Sequence, residues 1–266
     1  MDTTLFFESL WRDYIQLAPH AEAIVEHFST QGRPAINDHV AFRTFGSSPL
    51  SIEHLEPLIL SLGFRIQGHY RFEQKKLIAR SYLHPDPSVP KIFLSELCVE
   101  ELSFATQRVL TKYIEQIPKG RALDASVFFS GRVWQMPTWQ DYEVLRDESD
   151  YAAWLCTIGL RANHFTLSIN HLSPCPSIKE VLESVKLMGF EINQAGGEIK
   201  GSSAIFLEQA STKATTKVIT FADGESHRVP TCFYEFAYRY PDQKGKLFQG
   251  FVEGNADGIF DSTQSR

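Results

Sequence analysis

Two stretches of this chain spell the same helix. Ser51 to Phe64 reads SIEHLEPLILSLGF, and Ser177 to Phe190 reads SIKEVLESVKLMGF; both open on Ser-Ile and close on Gly-Phe over 14 positions. The serines suit helix N-caps and the glycines suit left-handed C-terminal stops. Apolar residues fall at Ile52, Leu55, Leu58, Ile59 and Leu62 in the first, and at Ile178, Val181, Leu182, Val185 and Met188 in the second. That is the period of an amphipathic helix. A repeat at this spacing points to a duplicated supersecondary unit, and so constrains everything around it.

A strand precedes each helix: HVAFRTF (39–45) in the first copy, HFTLSIN (164–170) in the second. The helices start 126 residues apart, at Ser51 and Ser177, and the leading histidines stand 125 apart, at His39 and His164. The two histidines therefore occupy equivalent places. Strand-like runs follow each helix, at 64–70, 76–83 and 91–97 in the first copy and at 190–194, 204–209, 217–221 and 232–240 in the second. The pattern is β-α-β-β-β twice, an α+β fold. Helical segments surround it, two before the first copy and more between the copies. The expected organisation is one integrated domain: N-terminal helices (1–35), a first βαβββ module (36–97), a helical insertion (98–160), a second module (161–241) and a C-terminal tail (242–266), loosely ordered after Gly250.

Composition removes several function classes. The formal net charge is −6 with a pI near 5.9, and no basic stripe is present, which argues against a nucleic-acid surface. No apolar run approaches 18 residues, and the N-terminal MDTTLFFESL carries acids where a signal peptide needs bases, so no membrane and a cytoplasmic location are expected. The four cysteines, Cys98, Cys156, Cys175 and Cys232, form no CxxC clip and read as reduced thiols.

Chemistry concentrates on three strands. Alternate side chains of a strand share a face. One face reads His39, Ala41, Arg43; another His164, Thr166, Ser168, Asn170; a third Phe233, Glu235, Ala237, Arg239. A His-Thr-Ser-Asn face makes a poor core, because buried polar groups need partners, whereas a ligand-filled concave surface supplies them. Glu235 sits among Phe233, Tyr234 and Phe236, where a carboxylate is rarely buried unpaired; a cation or Arg239 is its expected partner. His39, His164 and Glu235 together make the 2-His-1-carboxylate set that holds a non-haem Fe(II) with open positions. If the fold does not gather them, they are two strand histidines and a glutamate. His20, His27, His54, His84, His171 and His227 lie in helices, turns or strand ends, and His69 lies in a strand-like run. Glu96, near the end of the first copy, is a possible fourth pocket group. The Gly196–Ser202 run lacks phosphate-loop spacing and reads as a hairpin or pocket rim.

Several motifs, NDHVAFRTF, LIARSYLHPDPSVPKIFLSEL, NHFTL, GGEIKGS, LEQAST and FYEFAYR, resemble the 2-oxoadipate dioxygenase/decarboxylase family, over roughly residues 36 to 240 and in the family's order. The resemblance implies a vicinal oxygen chelate-like fold, two βαβββ modules forming an incomplete barrel around a metal. It implies metal ligands at His39, His164 and Glu235 and a substrate-binding arginine at Arg43. It also implies Fe(II), O2 and a 2-oxo acid, with oxidative decarboxylation of 2-oxoadipate to 2-hydroxyglutarate and CO2, a late step of lysine catabolism. Zn, Ni or Mn can replace iron in a purified sample. Arg239, Thr166, Ser168, Lys200, Ser202 and Gln209 are further candidate substrate contacts. The rival expectations are an O2-independent lyase, isomerase or hydrolase of glyoxalase type, for which Glu96 would be a fourth ligand, and a non-catalytic small-molecule binding protein.

Overall fold

A computed structural model describes residues 2–29, 33–119 and 123–263 of the chain. Two helices, α1 (Thr3–Tyr14) and α2 (Pro19–Phe28), lead into the first module: β1 (Asn37–Phe45), α3 (Ile52–Ser61), β2 (Arg65–Phe72), β3 (Leu77–Leu83) and β4 (Lys91–Leu97). The insertion carries α4 (Phe104–Ile114), α5 (Trp139–Glu148) and α6 (Asp150–Ile158). The second module has β5 (Ala162–Ser168), α7 (Ile178–Leu187), β6 (Lys200–Ser202), β7 (Leu207–Ser211), β8 (Thr216–Thr220), β9 (Ser226–Pro230) and β10 (Phe233–Arg239). A last helix, α8 (Glu253–Phe260), follows.

Eight strands form one curled sheet in the order β2-β3-β4-β1-β5-β10-β7-β6. The order is symmetric about the β1–β5 seam. In each half the first strand pairs in parallel with the last (β1 with β4, β5 with β10), and the middle strands follow antiparallel. The two leading strands meet antiparallel at the centre, with Ala41 opposite His164. Duplication thus brings both histidines to the middle of one sheet.

The repeated helices differ at their starts. Ser177 caps α7 and makes a full capping box with Glu180. Ser51 holds the cap position of α3 without a side-chain cap bond; Ile52 donates its backbone N–H to Glu96 Oε2 at 2.5 Å instead. Gly63 and Gly189 stop the two helices in the left-handed region, at φ of 93° and 88°.

The outer face of the sheet is apolar and covered by helices. Trp11 and Tyr14 of α1 meet Phe165 with ring centroids 5.2 and 5.1 Å away, and Val40, Leu167, Tyr234 and Phe236 are fully buried. Tyr151 of α6 donates to the Ser95 carbonyl at 2.7 Å, which fixes the insertion against β4.

Two expectations fail on the second half. The 217–221 run is not a barrel strand: β8 pairs with β9 in a separate two-stranded hairpin, and residues 190–194 contribute one isolated bridge, between Ile192 and Thr212. The barrel positions are filled by the short β6 and by β7. The described part of the tail, up to residue 263, is also not loose. Its α8 lies across the open side of the sheet, touching β2 at one edge and β6 and β7 at the other. Asn255 donates to the Leu207 carbonyl at 3.3 Å and to Gln209 Oε1 at 3.1 Å. Gly201 makes this docking possible. Its φ is +87°, and a Cβ there would stand 2.1 Å from the Leu207 oxygen and 2.5 Å from Asn255 Nδ2. Gly201→Ala is expected to cost about 1–3 kcal/mol of stability through backbone strain. It should also open the chain near residue 250 to protease; an unchanged melting temperature and cleavage pattern would contradict the docking argument.

Candidate metal and substrate site

The concave face of the sheet, closed by α8, encloses a chamber. His39, Arg43, His164, Gln209 and Glu235 line it, with Phe93 and Ser95 from β4 and Phe251, Ile259 and Phe260 from the closing segment. The space left is about 20 Å3 counted at the centre of a water molecule, enough for one or two waters.

His39, His164 and Glu235 come together at its base. One Glu235 oxygen lies 3.5 Å from His39 Nε2, and the other lies 3.1 Å from His164 Nε2. One ligand atom from each of the three lies within 4.8 Å of the others. Neighbouring ligands around a metal at about 2.1 Å stand roughly 3 Å apart, so the spacing suits a divalent ion. Glu235 is 1% exposed, and its Oε2 accepts no hydrogen bond. A buried ionised oxygen without a protein donor is what a bound cation would satisfy. Burial alone would raise the Glu235 pKa, but the two imidazoles outweigh it and hold the carboxylate at about 2. Gln209 Nε2 donates to Oε1 at 2.6 Å.

Each imidazole is pinned from behind by the residue before it. His39 Nδ1 lies 2.8 Å from Asp38 Oδ1. Burial pushes the Asp38 carboxyl up, but Arg239 outweighs this and holds it well below the carboxylate range, so it can only accept and Nδ1 carries the proton. Arg239 grips both Asp38 oxygens, Nε at 2.7 Å and Nη2 at 2.8 Å. His164 Nδ1 lies 3.2 Å from Asn163 Oδ1. A strand normally sends neighbours to opposite faces. Here the β1–β5 register skips Asp38 on one strand and Asn163 on the other, two bulges that turn both side chains toward the following histidine. Both Nε2 atoms are thereby left facing Glu235, the arrangement by which a carboxylate or carbonyl orients a metal-binding histidine.

Two testable consequences follow from this backing. Asp38→Asn removes the charge behind His39 and should weaken divalent metal binding by about 10- to 100-fold, read by calorimetric titration of metal-free protein. The second is a pH dependence. Burial lowers the His39 pKa, but Glu235 and Asp38 outweigh it, and the net shift is upward. The metal-free site therefore keeps a proton on His39 above the ordinary histidine range, and a metal must displace it. Affinity should rise with pH, by up to about tenfold per unit, and level off once pH passes that raised pKa; a pH-independent affinity would contradict the proton count.

Arg43 stands farther along β1 and is 1% exposed. Its guanidinium lies over Tyr151 and Trp154, 4.9 and 5.0 Å from the ring centroids, and Nη2 donates to Thr263 Oγ1 at 2.9 Å. Nε and Nη1 have no hydrogen-bond partner. Burial lowers its pKa to about 10, so it is still a cation at neutral pH. A buried cation with two unused donors is a site for an anion.

Of the other candidates, Gln209 lines the chamber and Thr166 touches His39; the rest lie elsewhere. Arg239 is committed to Asp38 and to the Phe248 and Gly250 carbonyls at 3.2 and 2.7 Å, and is paired with neither Glu235 nor the chamber. Thr166 places Oγ1 3.0 Å from His39 Nε2. Ser168 bonds His171 Nδ1 at 2.8 Å, and Lys200 donates to the Asn193 carbonyl at 3.1 Å. Ser202 pairs with Leu207 at the β6–β7 edge; Ser168, Lys200 and Ser202 do not line the chamber. Glu96 faces away from it, at the start of α3, because Phe93 and Ser95 take the inward positions of β4. Phe93 stands where Glu235 stands in the other module, so the duplicated sheet offers one carboxylate, not two. Asp38 and Asn163 were not singled out from sequence, although an Asx-His pair at the head of both leading strands is legible there.

No helix among the described residues is long and apolar enough to cross a membrane. The sequence profile of the 2-oxoadipate dioxygenase/decarboxylase family matches residues 10–126 and 121–248. A chloroplastic/amyloplastic 2-oxoadipate dioxygenase/decarboxylase of Oryza sativa is 35% identical over 95% of this chain and 76% of its own. The crystal structure of the Oryza sativa hydroxyglutarate synthase in complex with 2-oxoadipate superposes with a TM-score of 0.91 at 33% identity, covering 98% of this chain and 91% of that one. A crystal structure from Shewanella frigidimarina, provisionally classed as a hydrolase, gives a TM-score of 0.89 at 43% identity over 95% of this chain and 98% of that one. The fold is also that of a Ralstonia eutropha protein provisionally placed in the glyoxalase superfamily, with a TM-score of 0.76 at 23% identity over 95% of this chain and 86% of that one. On a profile match spanning most of its length and a curated relative 35% identical over 95% of it, this chain belongs to the 2-oxoadipate dioxygenase/decarboxylase family.

Proposed function

We propose that the protein is an Fe(II)-dependent dioxygenase that decarboxylates a 2-oxo diacid, 2-oxoadipate first among them, to a 2-hydroxy acid one carbon shorter. The observation that carries the reading is the shared chamber: three convergent atoms able to ligate a metal at one end and the unpaired donors of Arg43 at the other. An iron held by His39, His164 and Glu235 would supply open coordination positions for the oxo acid and O2 and the redox chemistry between them.

The chain's own residues do the rest. Asp38 and Asn163 hold the imidazoles so that both Nε2 atoms converge without rearrangement. Gln209 fixes the rotamer of Glu235. Arg43 binds the far carboxylate of the diacid through Nε and Nη1, with its own position set by Tyr151, Trp154 and Thr263. His39 Cα and Arg43 Cα are four strand residues, about 13 Å, apart, a span that a six-carbon diacid and the two side chains can fill. Phe93, Phe251 and Phe260 exclude water from the chamber, which strengthens the charge pairing inside it. The present volume is too small for a diacid, so the closing segment must shift to admit one. Carbon and oxygen balance with no further co-substrate: 2-oxoadipate plus O2 equals 2-hydroxyglutarate plus CO2.

Three ligands rather than four favour this reading over a glyoxalase-type one, since Glu96 points away. Mass analysis of the product is the test. Iron-loaded protein given 2-oxoadipate in air should yield 2-hydroxyglutarate. A rearranged or hydrated product of the same carbon count would assign the site to isomerase or hydrolase chemistry instead.

A further inference from the structure

The two modules hold their histidines with the same device but different residues. Asp38 and Asn163 both sit at bulges in the β1–β5 pairing, and both bond Nδ1 of the next histidine. The Asp38 side chain is spent: its two oxygens take His39, both nitrogens of the Arg239 fork and, at 3.5 Å, Lys91. Asn163 is not. It is 2% exposed, and its Nδ2 has no hydrogen-bond partner. The orientation of the amide is dictated by chemistry. A histidine that binds metal through Nε2 keeps its proton on Nδ1, so the carbonyl oxygen of Asn163 must face that proton and the NH2 must point the other way. A buried NH2 without an acceptor is unfavourable, which an acceptor in the chamber would relieve.

The position of this donor is informative. Along the β1–β5 seam, Asn163 lies between the level of Ala41–His164 and that of Phe42–Ala162, one step toward Arg43 from the metal-ligating end. It lines the same chamber as Arg43, whose Nε and Nη1 are the other unpaired buried donors there. A 2-oxo diacid running from the metal to Arg43 passes it. The keto oxygen and one near-end carboxylate oxygen would face the metal, and the methylenes accept nothing, so the acceptors left are the second near-end oxygen and the far carboxylate; the step toward Arg43 and its two unpaired donors point to the far one.

We propose that Asn163 is a substrate-binding residue: its carbonyl oxygen holds His164 for the metal, and its NH2 donates, beside Arg43, to the distal carboxylate of a bound 2-oxo diacid. The second module's asparagine, in place of the first module's aspartate, makes this possible, because an aspartate would present a negative charge to that carboxylate. The inference rests on the 2-oxo diacid reading above.

The test uses Mn(II)-loaded protein under anaerobic conditions, with calorimetric titration of 2-oxoadipate and of 2-oxohexanoate, which carries a methyl where the diacid has its second carboxylate. Asn163→Ala should weaken 2-oxoadipate binding about 10-fold or more, the loss of a charge-assisted hydrogen bond, and change 2-oxohexanoate binding by less than about threefold. Asn163→Asp keeps an acceptor for His164. By the argument made for Asp38 it should hold Mn(II) at least as tightly as the natural protein, yet fail to recover 2-oxoadipate. Equal losses for both acids in Asn163→Ala, or natural 2-oxoadipate affinity in Asn163→Asp, would overturn the donor role and leave only the positioning one. A natural protein that binds neither acid would instead remove the 2-oxo acid reading, and this inference with it.

Discussion

Glu235→Ala should abolish turnover, with a loss of at least about a thousandfold, and should strip the purified protein of stoichiometric metal. The reason is the position of this carboxylate. It contributes an atom within 4.8 Å of both imidazole nitrogens, and among the described residues the only other groups of potential ligands of this kind lie outside the chamber, at Cys98, Glu100 and Glu101. With Ala at 235, His39 and His164 offer two neutral ligands in a dry site. Two neutral ligands do not offset the desolvation of a divalent cation. Glu235→Gln separates charge from shape. It keeps the volume and an oxygen for Gln209, but removes the anion, so metal affinity should still fall steeply. Both variants remove the anion that pairs with the two buried imidazoles, and Glu235→Ala also removes the acceptor of Gln209, so a lower melting temperature with a cooperative transition is expected. Metal content by elemental analysis, alongside a melting curve, distinguishes site loss from unfolding. Full metal occupancy in Glu235→Ala would refute the ligand assignment.

Arg43→Met is expected to lower kcat/KM on 2-oxoadipate by about 100- to 1000-fold, or roughly 3–4 kcal/mol at 1.4 kcal/mol per tenfold. Methionine preserves most of the apolar contact with Tyr151 and Trp154 but removes both unpaired donors. The distal carboxylate of the substrate would then be buried without a counter-charge, and leaving a charge unpaired in a closed site has a penalty of this order. The same variant should lose much less on 2-oxohexanoate, which has no distal carboxylate, so its preference between the two acids should collapse or invert. A uniform loss on both acids would mean that Arg43 supports the fold of the chamber and does not read the diacid. Metal content should be unchanged, which separates this variant from Glu235→Ala.

How much of this was legible in the sequence depends on which physical signal each part leaves. The duplicated helix was legible because its period and its Ser and Gly ends are local. The places of His39 and His164 followed from that duplication. The β8–β9 hairpin was misread as a barrel strand because Lys217–Phe221 has the composition of any short strand, and its partner Ser226–Pro230 is recognisable only once paired. The tail was misread for a different reason. Glu253–Phe260 has two glycines and an asparagine, a poor intrinsic helix; it forms because Ile259 and Phe260, with Phe251 before it, close the chamber, so tertiary burial overrides propensity. Glu96 resembled Glu235 by its place near the end of a module. It stands three residues past Phe93, the position equivalent to Glu235, and so on the opposite face, where it accepts from the first residue of α3 instead of meeting a metal. Arg239 shared the face of Glu235 but found a nearer acid in Asp38, brought into reach by a bulge that no pattern of alternation predicts.

The central claim is that one metal at His39, His164 and Glu235 couples O2 to the decarboxylation of a 2-oxo diacid. The most direct measurement is the stoichiometry of gases. Protein purified without oxygen, reconstituted with Fe(II) and mixed with 2-oxoadipate and a known amount of O2, should consume one O2 for each CO2 released, and should release none under argon. CO2 evolution that continues at the same rate without O2, or O2 uptake without CO2, would contradict the account.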